Sequence, residues 1–314
     1  MITFGPLTSR RLGYSLGVNH IPAKYCSYDC IYCQVGPTKP LTIKRQIFYD
    51  TQTIQTEIEQ KLLEVKQQGK TVDAITFVPD GEPCLDQKLG EHLQALKPLG
   101  IKLAVITNAT FLMFPEVREA LFSADWVSVK VDSVNERIWH KINRPYGRLN
   151  MEHVLDGITA FSKEFLGDLV TETMLVQEIN DDGQMLKQTA KFISSLKVKC
   201  AYISVPNRPP MEAWVHPPDA KRLTAAYHVF RKKIDSVEIL GLVEPKPFVG
   251  SSGIREVLLS TAAVHPLDQQ TVQSMLDEAG VGWDVVDRLL SDGDLKKAVY
   301  MNNVFFLTNL TKRR

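Results

Sequence analysis

The 314-residue sequence lacks an excess of charge of either sign, a long apolar run and an internal repeat. Its 37 lysines and arginines nearly balance 36 aspartates and glutamates, for a formal net charge of +1. This balance argues against a general polyanion binder and leaves room only for a local charged patch. No apolar run approaches the ~20 residues that span a bilayer, and MITFGPLTSRR at the start has no apolar stretch of secretory length. We therefore expect a cytoplasmic protein without membrane segments.

Cysteine is scarce as well, and its distribution is uneven. The chain has five cysteines, of which Cys26, Cys30 and Cys33 lie within the eight residues CSYDCIYC. This clustering does not suit a disulfide framework and is typical of metal binding in a reducing compartment. Cys84 and Cys200 are isolated in sequence, and a lone cysteine is usually a small apolar filler. For Cys84 a role as hydrogen-atom donor is the alternative.

Three clustered thiols leave two kinds of metal site open. Structural zinc normally takes four protein ligands in tetrahedral geometry, and here His20 would have to be the fourth. An iron–sulfur cluster is the alternative that soft thiolates favour. A [4Fe–4S] cluster held by three cysteines keeps one iron without a protein ligand. That open iron can bind a substrate or a cofactor.

Beyond residue 50, short β-rich runs alternate with helix-like segments. Residues 51–69 carry an apolar helical stripe that Gly69 would end. Further helices are predicted at 87–100, 151–165, 182–196 and 218–234. The predicted strands are SLGV (15–18), AITFVP (74–79), KLAVIT (102–107), WVSVKV (126–131), LVTETMLVQ (169–177) and CAYISV (200–205). This alternation predicts an α/β fold with parallel pairing, either an open barrel or a doubly wound sheet.

A second, smaller domain is predicted after residue 250. PKPFVGSSG (245–253) is rich in proline and glycine and predicts a linker between domains 1–250 and 256–314. HPLDQQTVQSMLDEAG and GWDVVDRLLSDG predict two short helices, and LKKAVYMNNVFFLTNL predicts two strands joined by an Asn302-Asn303 turn. Two helices followed by a β-hairpin favour a winged-helix-like α+β domain.

The cysteine spacing, with Tyr32 directly before the last cysteine, resembles the signature of the radical S-adenosylmethionine (radical SAM) superfamily. The resemblance implies a partial (β/α)6 TIM-like barrel whose metal loop follows the first strand. It also implies a [4Fe–4S] cluster on Cys26, Cys30 and Cys33, with S-adenosylmethionine chelated by the open iron. Cleavage of this cofactor to a 5′-deoxyadenosyl radical would need an electron from a low-potential donor such as flavodoxin or ferredoxin.

The same resemblance extends to DGEP (80–83), directly after the second predicted strand. Family members carry a Gly-Gly-Glu-Pro turn there, and in this chain an aspartate replaces the first glycine. By themselves these residues form an ordinary turn. The resemblance implies that Gly81, Glu82 and Pro83 seat the methionine part of the cofactor and that Tyr32 supports the adenine.

Polar residues at the ends of the next two strands complete the predicted cofactor site. Asn108 lies where ribose hydroxyls need short polar partners, although it suits a turn or helix cap equally well. Lys130 and Asp132 occupy alternate positions and hence the same side of a strand. A lysine in an apolar strand is costly unless it meets a carboxylate. The cofactor carboxylate and Asp132 are the two expected partners of Lys130.

His140 and Arg144 belong to ERIWHKINRPYGR. We predict a connector there that either touches substrate or is solvated.

Arg10 and Arg11, with QVG after the last clustered cysteine, resemble the opening of a subgroup related to tRNA wyosine synthases. Those enzymes carry further cysteines ahead of the radical loop, and this chain has none before Cys26. The resemblance therefore implies relatedness without the same substrate.

RNA, in particular tRNA, is the leading predicted substrate. The cations expected to contact its phosphates lie in the last domain: Lys296, Lys297, Lys312, Arg313 and Arg314. The alternative is radical modification of a protein or peptide that docks on the same domain. A non-catalytic, metal-sensing DNA-binding protein is a third hypothesis, which the DGEP turn and the cofactor-sized barrel disfavour.

Overall fold

The computed structural model describes residues 2–240 and 253–309. The strands are β1 (Thr3–Ser9), β2 (Gly13–Val18), β3 (Ala74–Phe77), β4 (Lys102–Thr107), β5 (Trp126–Lys130), β6 (Asp168–Met174), β7 (Cys200–Ser204), β8 (Val237–Ile239), β9 (Leu267–Asp268), β10 (Leu295–Tyr300) and β11 (Asn303–Thr308). The helices are α1 (Thr51–Gln67), α2 (Leu89–Leu96), α3 (Pro115–Leu121), α4 (Glu136–Asn143), α5 (Met151–Glu164), α6 (Gly183–Ile193), α7 (Ala220–Arg231), α8 (Ile254–Val264), α9 (Gln269–Ala279) and α10 (Asp284–Ser291). In these two ranges, no helix has both the length and the apolar character needed to cross a membrane.

The first eight strands form one sheet in the order in which they occur along the chain. β1 pairs antiparallel with β2, and every later strand pairs in parallel with the one before it. The six predicted strands are β2 to β7 and are confirmed. β1 was not predicted because Gly5 and Pro6 interrupt it where its register with β2 shifts. β8 has only three residues, too few to show a pattern.

Helices cover the outer face of the sheet. The main apolar core lies between these two layers and includes Leu16, Ile75, Leu93, Val105, Val127 and Phe161. The predicted connector at His140 and Arg144 is wrong, because most of it is helix α4. Asn135 caps this helix by accepting a hydrogen bond from the Ile138 N–H, and Trp139 is buried on its inner face. With so few apolar residues between its charges, the segment shows no clear stripe.

The curled sheet surrounds a space that is filled by side chains at one end and forms a cavity at the other. One layer of side chains fills the space at the amino ends of the parallel strands: Leu12, Ala74, Ala104, Trp126, Val170, Cys200 and Tyr202. Because Leu12 belongs to the turn between β1 and β2, this hairpin closes the bottom of the curled sheet. Above it, inward residues of β1 to β7 line one cavity of about 470 Å³.

The residues from 253 onward form a small module with the element order α8, β9, α9, α10, β10 and β11. Its antiparallel sheet has the order β10-β11-β9 and encloses its own apolar core. The two predicted helices and the hairpin are present, and α8 and β9 are additional. The hairpin turn was placed one residue late, since Met301 and Asn302 are the residues with positive φ, 49° and 64°. Residues 245–252 of the predicted linker and Lys312, Arg313 and Arg314 lie outside the described residues.

This module is attached to both edges of the large sheet. At one edge, Ala263 and Val264 at the end of α8 pack against Phe4 of β1. Near the other edge, the Tyr300 hydroxyl donates to the backbone carbonyls of Pro206 and Val215, each at 3.2 Å. The end of α8 therefore lies against the β1 edge of the large sheet.

The contact between α5 and the turn Thr110–Met113 after β4 gives a test of this packing. A Cβ on Gly157 would lie 2.4 Å from the Met113 nitrogen and 2.5 Å from the Leu112 carbonyl carbon. Because backbone atoms cannot move aside easily, Gly157→Ala should lower the free energy of unfolding by about 1–3 kcal/mol. Gly183→Ala, on α6 with nothing within 4 Å, should be neutral or stabilising by up to ~1 kcal/mol. Urea denaturation of the two variants checks this, and equal effects would contradict the packing.

Candidate active site

The cysteine loop follows β2 without regular secondary structure, and backbone hydrogen bonds to two flanking segments hold it in place. On one side, the Thr42 N–H donates to the Cys26 carbonyl at 2.9 Å. On the other side, the Ile31 N–H donates to the Ile142 carbonyl at 2.9 Å. Ile31 itself is fully buried. The loop is thus fixed between residues that follow it in sequence and the end of α4.

The DGEP turn after β3 is joined to the chain that leads into the cysteine loop. The Lys24 N–H donates to the Asp80 carbonyl, and the Glu82 N–H donates to the Tyr25 carbonyl, both at 3.0 Å. A Cβ on Gly81 would lie 1.9 Å from the Tyr25 carbonyl oxygen. Only glycine permits this approach, which gives the residue a structural reason independent of any cofactor.

The Glu82 carboxylate ties the end of β3 to the end of β4. It is buried and accepts hydrogen bonds from the Thr107 hydroxyl at 2.5 Å and from the N–H groups of Asn108 and Cys84 at 2.8 and 3.0 Å. Burial raises the pKa of Glu82, and these donors partly offset the rise. With three donors already bound, the side chain acts by fixing the turn beside the cysteine loop.

Each thiol of the loop has a nitrogen donor of its own. The pairs are Asn108 Nδ2 with Cys26 Sγ at 3.7 Å, Asn143 Nδ2 with Cys30 Sγ at 3.4 Å, and Lys24 Nζ with Cys33 Sγ at 3.4 Å. Burial raises the pKa of the Cys26 thiol well above its usual range and that of Cys30 to about 12. A metal centre would therefore displace protons from these thiols on binding.

A single metal ion needs a ligand set that converges on one point. Among the described residues, no three His, Cys, Asp or Glu side chains converge on one point that could hold an ion. His20 is not a fourth ligand, since its Nε2 lies 3.3 Å from the Pro83 carbonyl and its ring packs on Phe77. Tetrahedral zinc needs such convergence, whereas the thiolates of an iron–sulfur cube bind separate irons.

Asp132 connects the last turn of the cysteine loop to the end of β5. Its Oδ2 accepts hydrogen bonds from the Tyr32 hydroxyl at 2.5 Å and from Asn143 Nδ2 at 2.7 Å. Its Oδ1 accepts one from the Met174 N–H at 2.8 Å. Burial and the Asp132 carboxylate together raise the pKa of Tyr32, so the phenol stays protonated and donates. Asp132 is not the ion-pair partner of Lys130.

That partner is Glu172 on the neighbouring strand β6. Glu172 accepts from Lys130 Nζ at 2.7 Å and from an Arg11 guanidinium nitrogen at 2.6 Å. The guanidinium carbon lies 5.6 Å from the ring centres of both Trp126 and Tyr202. Burial alone would raise the pKa of Glu172, but Lys130 and Arg11 outweigh it and hold the pKa well below its usual range. The sequence signal that could have revealed this pair is a lone acid and a lone base in adjacent apolar strands.

The cysteine loop and the ion network of Arg11, Lys130 and Glu172 share one cavity. Its wall includes Tyr32, Cys33, Lys130, Glu172, Arg208 and His265. At about 470 Å³ the cavity is within the range of ligand pockets, roughly 300–1,000 Å³. His265 belongs to the small module, and no sequence feature connected it with the site. One of its ring nitrogens, Nε2, is buried without a hydrogen-bond partner.

Other predicted site residues lie away from this cavity. Cys84 is 1 % exposed within the main core, and its Sγ lies 3.6 Å from the Thr107 hydroxyl. This position fits an apolar filler. Arg144 pairs with Glu212 at 2.6 Å near the surface, and His140 is exposed. None of Cys84, Arg144 and His140 lines the cavity.

Comparison with known proteins agrees with this fold. The model of the Radical SAM superfamily matches residues 20–193. The UPF0026 protein MJ1312 of Methanocaldococcus jannaschii is 37% identical over 314 residues, covering 99% of this chain and 97% of its own. A radical SAM methyltransferase from Sphaerobacter thermophilus superposes with a TM-score of 0.58 at 14% identity, over 73% of this chain and 67% of that one. Native anSMEcpe with bound AdoMet gives a TM-score of 0.51 at 15% identity, over 79% and 65%.

A curled, mostly parallel sheet with a three-cysteine loop after its first parallel strand defines a radical SAM protein. The chain belongs to the radical SAM superfamily and, within it, to the UPF0026 family. It is therefore an enzyme, and the cofactors of its superfamily are a [4Fe–4S] cluster and S-adenosylmethionine.

The ion network predicts a large difference between two carboxylate variants. Glu172→Gln leaves Lys130 and Arg11 without their buried anion and should lower the free energy of unfolding by about 3–5 kcal/mol at pH 7. Glu164→Gln breaks a surface ion pair with Arg118, in which the Glu164 side chain is 44% exposed. This change should lower the free energy of unfolding by no more than ~1 kcal/mol. Denaturant titration of the two proteins compares them.

The pH dependence of the unfolding free energy gives a second test with Glu172→Gln. Because the folded-state pKa of Glu172 is depressed, its contribution is complete above the usual carboxylate range and is lost as the pH falls toward that low pKa. The difference in unfolding free energy between the wild type and Glu172→Gln should therefore become smaller in acid. A difference that is small at pH 7, or that becomes larger in acid, would show that the network does not stabilise the fold.

Proposed function

We propose that the protein is a radical SAM enzyme with one [4Fe–4S] cluster on Cys26, Cys30 and Cys33. The observation that carries the proposal is the set of three thiols, each with its own donor, on a loop whose last cysteine, Cys33, lines a closed-bottom cavity. When bound, the reduced cluster supplies one electron to the sulfonium of S-adenosylmethionine, which yields methionine and a 5′-deoxyadenosyl radical that removes a hydrogen atom from the substrate.

The chain's own residues prepare this site in distinct ways. Gly81 and Pro83 shape the turn that would present backbone carbonyls to the cofactor amino group, and Glu82 locks that turn. Asn108 orients the first thiol at the ribose side of the site. Lys130, on the cavity wall, stays the candidate for the cofactor carboxylate, since an ammonium group can serve two anions. The cavity walls shield the radical from solvent.

Tyr32 and Asp132 act as a pair in this proposal. The Tyr32 hydroxyl is bound to Asp132, so its ring is held in one orientation at the cavity wall. Lys130 Nζ lies over this ring, 5.3 Å from its centre. A ring fixed in this way offers a rigid flat surface to the adenine, and Asp132 contributes indirectly by holding the ring.

For the small module we propose a winged-helix-like fold, since helix, strand, two helices and a hairpin follow one another in that order. Its sequence carries no basic excess. Between residues 253 and 314 it has seven lysines and arginines and eight aspartates and glutamates. Two of the acids, Asp284 and Asp287, lie on α10, the second helix of the pair. The charge of the module therefore gives no support to an RNA contact at Lys296 and Lys297.

RNA as substrate finds better support on the rim of the barrel. No acidic residue occurs between residues 137 and 149, where Arg137, Lys141 and Arg148 are exposed. This segment contacts the cysteine loop, because the Tyr146 N–H donates to the Ser27 carbonyl at 2.9 Å. Together with the resemblance to wyosine synthases, it favours an RNA docked over the metal loop. The module, which has no basic excess, favours the second candidate, a protein or peptide docked there.

Cofactor cleavage tests the proposed reaction directly. Anaerobically reconstituted protein should contain about four irons per chain and, with dithionite, convert S-adenosylmethionine to 5′-deoxyadenosine detectable by mass spectrometry. Cys30→Ala, which removes one cluster ligand, should abolish the product. A bound cluster that yields no 5′-deoxyadenosine, alone or with cell extract as a source of substrate and reductant, would favour a metal sensor. Zinc in place of iron after anaerobic purification would overturn the proposal.

Charge reversal distinguishes the two substrate classes. Binding of unfractionated tRNA should weaken linearly with the logarithm of salt concentration, and Lys141→Glu with Arg148→Glu should weaken it further and flatten that slope by about 1 per lost contact. Lys296→Glu with Lys297→Glu is the matched control on the module and should change little. If only the Lys296→Glu, Lys297→Glu variant loses tRNA binding, the RNA binds on the module. If the wild type does not bind tRNA even at low salt, a peptide or protein substrate is favoured.

A further inference from the structure

Lys24 is buried beside the metal loop, two residues before its first cysteine. Only 6% of the residue is exposed. Its backbone has a φ of 69°, in the left-handed region that favours glycine, and its N–H is bound to the Asp80 carbonyl at 3.0 Å. The chain thus holds Lys24 in a conformation that a lysine rarely adopts. Its Nζ ends 3.4 Å from Cys33 Sγ.

A buried ammonium group is costly unless an anion lies beside it. Lys61, equally buried, pairs with Glu64 at 2.9 Å, and Lys130 pairs with Glu172 at 2.7 Å. Within the described residues Lys24 forms no ion pair with an aspartate or glutamate. The group that its ammonium meets is the Cys33 sulfur.

We propose that Lys24 is a positioning residue of the metal centre that raises the reduction potential of the bound cluster. The inference rests on the proposed function, because it needs an iron–sulfur cluster on the loop. Three thiolates and the cube carry net negative charge, and reduction adds one more. A cation fixed 3.4 Å from a ligand sulfur stabilises the reduced form more than the oxidised form.

Lys24 should have a larger effect than the other two sulfur donors. Asn108 and Asn143 donate neutral amide N–H groups to their sulfurs, whereas a charge-assisted hydrogen bond is roughly twice as strong. The side chain of Lys24 is also shielded from solvent, so salt and water weaken its field little. Hydrogen bonds and charge around ligand sulfurs are established ways in which proteins set cluster potentials.

The experiment is a redox titration of the reconstituted full-length protein without S-adenosylmethionine, followed by electron paramagnetic resonance of the reduced cluster. Lys24→Met keeps the length of the side chain and removes its charge. At the wild-type midpoint potential, the ratio of reduced to oxidised cluster should fall about tenfold, which is ~59 mV for a one-electron couple. Lys24→Arg, which keeps the charge, should have a midpoint potential close to that of the wild type. Lys44→Met removes an exposed lysine near the same loop and should leave the midpoint unchanged.

The outcomes separate this inference from the proposed function. A fully loaded Lys24→Met protein with the wild-type midpoint would overturn the role of Lys24 and leave the cluster assignment intact. If Lys24→Met loses the cluster and Lys24→Arg keeps it with a midpoint potential close to that of the wild type, the cation stabilises the bound cluster, which supports the inference. Loss of the cluster in both variants would show that the residue's shape matters and its charge does not. A wild-type protein without any iron–sulfur signal contradicts the proposed function itself.

Discussion

The structure depends on one constraint: a loop without regular secondary structure must hold three thiols in fixed places. Helices and strands position side chains through their own backbone hydrogen bonds, whereas the cysteine loop has only single turns such as the bond from the Cys33 N–H to the Cys30 carbonyl at 3.0 Å. It is fixed instead by its neighbours, with the DGEP turn on its approach, Thr42 on one side and the end of α4 on the other. All of them lie at the carboxyl ends of parallel strands, which meet at one edge of a curled sheet. The parallel fold is what brings these supports together.

Charge inside the barrel follows from the same geometry. An open sheet that curls around a cavity has an inner face that cannot be filled by apolar side chains alone, and β5 and β6 use it for Lys130 and Glu172. Arg11 reaches the same carboxylate from the hairpin that closes the bottom, held between two aromatic rings. The network therefore links the bottom of the barrel to the wall of the site. Because its charges are paired, the cavity stays polar without an isolated buried ion.

Much of this could be predicted from the sequence, where the signal is local. The cysteine spacing indicated the radical SAM superfamily, and continuous apolar runs identified β2 to β7, because a strand buried on both faces must be apolar throughout. β1 and α4 were missed for local reasons as well: a Gly-Pro pair interrupts one, and charges obscure the apolar face of the other. In each case tertiary packing decided a structure that the local pattern left open.

Pairings between distant residues could not be predicted in the same way. Lys130 was recognised as needing a carboxylate, but two nearer candidates hid Glu172, 42 residues away. Lys24 gave no signal at all, since a lysine before a cysteine loop is ordinarily solvated. Its backbone is bound to the DGEP turn after β3, and a sequence pattern carries no information on that contact. Ionic partners are set by which strands become neighbours, so they follow from the fold and cannot precede it.

The place of the small module limits how a substrate can reach the site. The hairpin at Leu12 closes the bottom of the barrel, and the end of α8 packs on β1, where Val264 and His265 join the cavity wall. The rim above the cysteine loop is the side that these two elements leave uncovered. The exposed cations of the acid-free segment 137–149 lie at this rim. If the substrate is the RNA proposed above, wall and charge direct it to the same opening, over the cysteine loop.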